Sequence, residues 1–216
     1  MDIYIASARP SVIKQAIGLG AVGIATNPAV VAEVGQPWRQ ALKAANEASD
    51  MGPLLVQVVA PDVDGLRREA AEFREIVGER LIVKVPMSPV AIAGMRALKA
   101  DGFEIMITTL VTFAQCLVAV QAGADQLGYY VGRAERAGID PYRVIADTRA
   151  LIDRRGYRTK IGVGSINDVP SLTKSAAAGA DNAAPVIGVM VEAIAHPVTE
   201  RGLADFADKW KSIPQA

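Results

Sequence analysis

Short apolar runs alternate with amphipathic stretches along the whole chain, and this alternation constrains the fold more than any other feature of the sequence. Eight apolar runs have the length and composition of buried strands, at 2–6, 21–25, 54–59, 80–85, 103–108, 126–131, 159–164 and 181–185. Helical patterns lie between and after them, at 9–18, 36–48, 63–77, 88–100, 111–121, 139–155, 169–178, 186–194 and 199–212. Such alternation is typical of right-handed βαβ units in a parallel sheet. Eight units in 216 residues therefore predict an α/β protein, a single (β/α)8 TIM barrel domain over residues 1–216 with an additional C-terminal helix.

Residues that start helices or turns stand where the pattern leaves a strand. Asn27, Asp62, Ser88 and Asp140 each adjoin a proline and have a short polar side chain that can accept a hydrogen bond from the backbone. We therefore expect a turn or a helix start at each of these positions.

A lysine interrupts the apolar run 81–86, whose sequence is LIVKVP. A continuous β-branched run of this kind is typical of a fully buried parallel strand. Burial of an unpaired ammonium is costly, so a buried Lys84 tends to lose its proton and to become a nucleophile that forms Schiff bases. The alternative is that Lys84 lies at the end of the strand and extends its amine to solvent.

Polar residues also follow several other predicted strands, near the carboxyl ends where barrel enzymes carry their active sites. They are Thr26, Asn27, Gln57, Thr108, Tyr130, Arg133 and Ser165. Inward-facing polar groups from several strands suit a small-molecule site. Each has a structural alternative, as a satisfied barrel residue, a strand threonine, a core aromatic, a surface charge or a helix cap.

Composition argues against several other functions. Lys and Arg number 23, as do Asp and Glu, so no bulk charge attracts nucleic acid or an anionic membrane. The uncharged stretch 105–124 contains three threonines and two glutamines, which favours a strand, a turn and a buried helix over a membrane span. Neutrality combined with an apolar composition favours a homo-oligomer.

The chain contains one cysteine, Cys116, and one histidine, His196. An internal disulfide is therefore impossible, and we expect a cytoplasmic protein. A zinc site of ordinary composition or a Ser-His-Asp triad is disfavoured for the same reason, and we predict no metal and no cofactor.

Residues 18–23, GLGAVG, spell the fingerprint of a dinucleotide-binding loop. That motif must follow a strand and open a helix so that pyrophosphate meets the helix N-terminus. Here it follows a predicted helix and opens a predicted strand, so we assign no nucleotide to it.

Stretches 23–28 (GIATNP), 82–86 (IVKVP) and 130–133 (YVGR) occur together in this order and at this separation. On these stretches the sequence resembles the small transaldolases and fructose-6-phosphate aldolases over essentially its whole length. The resemblance implies a (β/α)8 barrel in which Lys84 forms a Schiff base with the substrate. It also implies assembly as a homo-oligomer, often a decamer built from pentamers.

Further roles follow from the same resemblance. It implies that Gln57, Thr108 and Tyr130 hold a water that moves protons, and that Arg133 and Ser165 receive a substrate phosphate. We also assign Thr26 and Asn27 to substrate binding, with Asn27 orienting the donor.

Two alanines depart from the pattern of that family. Ala6 stands where an aspartate usually follows the first strand, and Ala25 stands where a threonine precedes Thr26. Asn167 replaces a basic residue often found two positions after Ser165. These changes predict an altered donor site and a phosphate held less tightly.

We therefore interpret the chain as a metal-free, class I aldolase or transaldolase that acts on a ketose or hydroxyketone donor and an aldehyde acceptor, phosphorylated or otherwise anionic. The alternative is a non-catalytic barrel that binds a sugar phosphate or serves as a scaffold, which the two alanines motivate.

Overall fold

Eight parallel strands close into a barrel in sequence order, with the last strand paired to the first. The computed structural model describes residues 1–49 and 52–214. The strands β1 to β8 span Asp2–Ala6, Gly23–Ala25, Leu54–Gln57, Leu81–Pro86, Glu104–Leu110, Gln126–Tyr130, Lys160–Ile166 and Asn182–Pro185. This topology confirms the predicted (β/α)8 fold.

Helices connect successive strands and cover the outside of the barrel. The helices α1 to α11 of the described residues span Pro10–Gly18, Pro28–Ala32, Trp38–Glu47, Val63–Val77, Pro89–Ala100, Phe113–Gln121, Val131–Arg136, Pro141–Arg155, Val169–Ala177, Ile187–Ile194 and Pro197–Ser212. A 3-10 turn at Gly78–Arg80 leads into β4. The stretch 105–124 is a strand followed by a helix, as predicted.

Four predicted strands are too long. The second begins at Gly23 rather than at 21, the third ends at Gln57 rather than at 59, and the sixth ends at Tyr130 because Val131 already begins α7. The eighth begins at Asn182 rather than at 181. Helices α2 and α7 were not predicted. Each is six residues or fewer, too short to show a helical repeat of apolar residues.

Alternate residues of the strands build two separate apolar layers. One layer lies between the sheet and the helices and includes Leu54, Val83 and Tyr129. The other lies inside the barrel and consists of Tyr4, Ala25, Leu55, Ile82 and Met106. Lys84 follows Ile82 by two residues, so its side chain starts on the inner face of β4.

The amino-terminal end of the lumen is filled by hydrogen-bonded polar side chains. Gln126 Nε2 donates to Glu104 Oε1 at 2.9 Å, and Asn182 Nδ2 donates to Gln126 Oε1 at 3.2 Å. Gly162 lies next to these hydrogen-bonded side chains, and a Cβ at this position would come within 2.5 Å of Asn182 Oδ1. With this end filled, the lumen is left to open at the carboxyl ends of the strands, where the polar residues were predicted to gather.

Two further segments bear on the sequence predictions, the GLGAVG segment and helix α11. The GLGAVG segment joins the end of α1 to the start of β2, so it does not have the strand-to-helix context of a dinucleotide loop. Helix α11 is exposed along its length apart from Gly202. Among the described residues, none of the helices combines the length and the apolar character that a membrane crossing requires.

Candidate active site

Lys84 lies inside the barrel, near the carboxyl end of β4. Its side chain is 6% exposed, and its Nζ donates a hydrogen bond of 2.8 Å to the backbone carbonyl of Thr26. The amine therefore does not extend to solvent, which excludes the alternative that the sequence left open. Thr26 is itself fully buried, and its Oγ1 donates to the carbonyl of Leu55 at 2.9 Å. Two neighbouring strands thus fix the position of the amine.

Burial lowers the pKa of the Lys84 amine from its ordinary value of 10.5 to about 8. Loss of hydration disfavours the charged form, and this is the cause of the shift. About a tenth of the amine is then neutral at about pH 7, compared with less than a thousandth for an ordinary lysine. The barrel interior therefore supplies a nucleophilic amine near neutral pH.

Two cavities meet at Lys84. The larger, about 200 Å³, opens at the mouth of the barrel and is lined by Asn27, Lys84, Tyr130, Arg133 and Ser165 among others. The smaller, about 30 Å³, lies deeper in the lumen and is lined by Thr108, Lys84 and Tyr130 among others. Six of the eight predicted site residues thus line these two cavities, which share Lys84 and Tyr130. A concave space with a few convergent polar groups is typical of a small-molecule site.

The remaining two predicted residues, Thr26 and Gln57, line a neighbouring side cavity of about 570 Å³. Asn27 lines both this cavity and the mouth cavity. Gln57 pairs in register with Lys84 across β3 and β4, so both side chains start on the same face of the sheet. Its Oε1 is buried and has no hydrogen-bond partner among the described residues. Gln57 therefore presents an acceptor beside the strand that carries the amine.

The adjacent tyrosines at the end of β6, Tyr129 and Tyr130, point to opposite faces of the sheet. Tyr129 packs between the sheet and the helices, and its hydroxyl donates to the carbonyl of Val111 at 2.9 Å. Tyr130 faces the cavities beside Lys84. The Arg133 guanidinium lies 4.7 Å from the centre of the Tyr130 ring, a cation–π contact. Of the two aromatics at the end of this strand, only Tyr130 is in a position to meet a substrate.

Non-glycine residues in the left-handed region of backbone space mark the ends of two strands. Thr109 has a φ of 64° and Ser165 a φ of 57°, and both lie where the strand pairing shifts register. Such conformations cost about 1–3 kcal/mol and are concentrated at functional sites. Ser165 was a predicted site residue, but Asp168 is the N-cap of the next helix, so capping does not explain this serine.

Asn167 is a site residue that the sequence did not single out as a contact. It lines the mouth cavity with Arg133 and Ser165. A Cβ on Gly132 would lie 2.7 Å from Asn167 Nδ2 and 2.8 Å from the Ser165 carbonyl oxygen, so only glycine permits this close approach. The glycine of the YVGR stretch, directly before Arg133, was the sequence feature that could have indicated this close approach.

Within residues 1–49 and 52–214, no group of three or more His, Cys, Asp or Glu side chains is placed to hold a metal ion. The sole cysteine, Cys116, is buried, and burial raises the pKa of its thiol to about 11. The side chains that line the two cavities at Lys84 offer an amine, a phenol, hydroxyls, amides and a guanidinium.

Replacing the buried amine by an apolar side chain is expected to stabilise the fold in a pH-dependent way. Because the pKa of Lys84 is lower in the folded than in the unfolded chain, its protonation opposes folding fully below about pH 8 and progressively less as the pH rises toward 10.5. Lys84→Met should therefore raise the free energy of unfolding by on the order of 2–3 kcal/mol at about pH 7 and by clearly less at about pH 10. Chemical denaturation at both pH values measures this. The exposed Lys14→Met is the control, and an equal effect of Lys84→Met at both pH values would contradict the assignment.

The fold matches solved barrels at low sequence identity. The flavin-binding domain of baker's yeast flavocytochrome b2 aligns with a TM-score of 0.62 at 12% identity. The alignment covers 86% of this chain and 56% of that chain. At this identity the match supports the fold alone.

Closer similarity exists to proteins named probable transaldolase. Those of Geobacter sulfurreducens and Geobacter metallireducens are each 32% identical over 216 residues, which is all of both chains. That of Aquifex aeolicus is 29% identical over all of this chain and 99% of the relative. The family model described as Transaldolase/Fructose-6-phosphate aldolase matches residues 3–216. The chain therefore belongs to the transaldolase and fructose-6-phosphate aldolase family.

Proposed function

We propose that this protein is a metal-free, class I aldolase or transaldolase in which Lys84 forms a Schiff base with a ketose or hydroxyketone donor. The observation that carries the proposal is a buried amine with a pKa of about 8, inside the barrel and at the junction of two cavities. Membership of the family supports the reaction class.

The first step is addition of the neutral Lys84 amine to the donor carbonyl. The resulting carbinolamine loses water and gives an iminium ion, with one C–N double bond formed and the C=O bond broken. In the cleavage direction a base removes the proton of the hydroxyl beside the breaking carbon–carbon bond. The electron pair of that bond moves to the iminium nitrogen, which leaves an enamine on Lys84 and releases an aldehyde.

Proton transfer falls to Tyr130 in this proposal. Tyr130 and Thr108 line the deep cavity beside Lys84, and Gln57 contributes a buried acceptor from the adjoining strand. A water held among these three groups would carry the proton between the substrate and the phenol. An acid–base group of this kind contributes about 10²–10⁴ in rate.

Binding of the substrate is assigned to the mouth of the barrel. Arg133, Ser165 and Asn167 line it together, so a phosphate or another anion on the acceptor has a cation and hydrogen-bond donors within one wall. Asn27 faces the same cavity and would orient the donor. Thr26 acts through the amine, because its carbonyl accepts the hydrogen bond from Lys84.

Partners and location follow from composition. The equal numbers of acidic and basic residues support small-molecule substrates rather than nucleic acid or membrane partners. We propose a cytoplasmic location on the strength of the single cysteine. Product analysis with and without a second aldehyde distinguishes a transaldolase, which transfers the enamine, from an aldolase, which releases the donor.

Covalent trapping tests the Schiff base. Incubation with fructose 6-phosphate, dihydroxyacetone or hydroxyacetone followed by borohydride should give a stable mass gain on the peptide that contains Lys84. Lys84→Met should abolish the gain, because it removes the only proposed nucleophile, and Lys14→Met should retain it. Peptide mass spectrometry reads the result. If none of a broad panel of ketones gives an adduct, the non-catalytic sugar-phosphate-binding barrel is the better description.

The paired tyrosines give a matched test of proton transfer. Tyr130→Phe should lower kcat by about 10²–10⁴ while borohydride still traps the imine, because carbonyl addition does not need the phenol. Tyr129→Phe removes a hydrogen bond in the outer layer and should cost about 1 kcal/mol of stability with little change in kcat. Steady-state kinetics and thermal denaturation of both variants measure this. Equal losses of kcat in the two variants would contradict the role of Tyr130.

We further propose that the protein is a homo-oligomer, with a decamer as one form, and that α11 contacts a second copy. Leu203, Phe206 and Trp210 on this helix are 65%, 71% and 66% exposed. Their spacing of three and four residues forms a continuous apolar stripe of the kind that packs against another helix. A chain of zero net charge has little repulsion to oppose self-association.

A charge placed in this stripe should weaken the assembly. Phe206→Glu should shift the sedimentation profile toward smaller species, since it places a carboxylate in the interface. The control is Arg201→Glu, which lies on the opposite face of α11 and should leave the profile unchanged. A wild-type profile of monomer only, or an equal response to both variants, would contradict the interface.

A further inference from the structure

The wall of the lumen around Lys84 carries different side chains at different depths. Tyr4 of β1 and Asn182 of β8 line the deep cavity together with Lys84. The strands β3 to β7 contribute the polar groups Gln57, Lys84, Thr108, Tyr130 and Ser165. At the level of the mouth cavity the polar side chains and the alanines come from different strands. The three strands that complete the circle, β8, β1 and β2, contribute Ala184, Ala6 and Ala25 to the mouth cavity. We propose that the donor is a ketone that carries a methyl or methylene group, and no hydroxyl, on the carbon that faces this alanine wall. This inference rests on the proposed Schiff-base function.

Ala6, Ala25 and Ala184 together form the alanine wall, and all three line the mouth cavity. Ala6 and Ala25 pair in register across β1 and β2, so their methyl groups lie side by side on one face of the sheet. Ala25 and Ala184 line both the mouth cavity and the deep cavity, and Lys84 does so too. A donor bound to the amine therefore has carbon within reach of these methyl groups.

Polar contact with the donor is available from the loop that follows β2. Asn27 Oδ1 accepts a hydrogen bond from the backbone N–H of Val30 and caps α2. Its amide nitrogen is then the donor that remains for a ligand in the mouth cavity. The site thus offers an amide to one end of a small ketone and methyl groups to the other, which suits a donor with one hydroxyl better than a donor with two.

The energetic argument concerns desolvation. A hydroxyl that leaves water for a wall of methyl groups loses its hydrogen bonds without replacement, whereas a methyl group gains from the same transfer. Apolar pockets discriminate against an added hydroxyl by no more than about a hundredfold. We expect about a tenfold preference in kcat/KM for hydroxyacetone over dihydroxyacetone, which corresponds to about 1.4 kcal/mol.

The reaction with such a donor balances without a further reagent. Lys84 and hydroxyacetone form the iminium with loss of one water, and loss of one α-proton gives the enamine. The enamine carbon attacks the aldehyde carbon, and the aldehyde oxygen takes up a proton. Addition of water to the new iminium then releases the product and restores the amine.

The test compares hydroxyacetone and dihydroxyacetone with the same aldehyde acceptor. Wild-type kcat/KM should favour hydroxyacetone by about tenfold, and Ala6→Ser and Ala25→Ser should each narrow the ratio to about threefold or less by offering the second hydroxyl a partner. The matched control is Ala32→Ser, since Ala32 lines the side cavity but not the mouth cavity. This control should keep the wild-type ratio.

The outcomes separate the two proposals. If borohydride traps both ketones on Lys84 but dihydroxyacetone is used as well as or better than hydroxyacetone, the donor inference is wrong and the Schiff-base function stands. A ratio that neither alanine variant changes also overturns the role of the wall. If neither ketone is trapped, the proposed function fails and the donor inference fails with it.

Discussion

Desolvation of one amine is the constraint on which the structure around the active site depends. Lys84 is 6% exposed, and the preceding inward residue of its strand is Ile82. Burial of an ionisable group among such apolar side chains lowers the stability of the fold. Among the described residues, the amine donates one hydrogen bond, to the Thr26 carbonyl. This bond fixes the position of the amine but supplies no negative charge to balance an ammonium. The low pKa follows from burial, and nucleophilicity near neutral pH follows from the low pKa. The barrel thereby exchanges some stability for reactivity.

Barrel closure determines which groups meet this amine. The hydrogen-bonded side chains of Glu104, Gln126 and Asn182 fill the amino-terminal end of the lumen. Space for a ligand therefore remains at the carboxyl ends of the strands. There the chain reaches unusual backbone conformations at Thr109 and Ser165, and Gly132 allows the loop after β7 to approach Arg133 and Tyr130 closely. The alanine wall completes the circle with methyl groups. In the proposed mechanism, the choice of donor therefore depends on these methyl groups as well as on the polar side chains.

Much of the fold could be predicted from the sequence because barrel strands buried on both faces give clear apolar runs. The four residues predicted to start a turn or a helix, Asn27, Asp62, Ser88 and Asp140, all cap helices. The start of α2 at Asn27 was predicted only as a turn or a helix start, and α7 was not predicted, since helices of five or six residues show no helical repeat. The position of Gln57 and Thr26 at the side cavity rather than the mouth cavity could not be predicted either, because it depends on how residues of α2, α3 and α4 surround the side cavity. The positive φ of Thr109 could not be predicted from the residue type, because threonine rarely adopts this conformation.

The most direct test of the central claim is the titration of the Lys84 amine itself. Labelling of the lysine side chains with ¹³C at the carbon beside Nζ, followed by NMR over a range of pH, resolves individual amines, and Lys84→Met identifies the signal. We predict a midpoint of about 8 for Lys84, against values near 10.5 for exposed lysines. A Lys84 midpoint near 10.5 would show that the amine is hydrated and charged at neutral pH, and would contradict this account of the site.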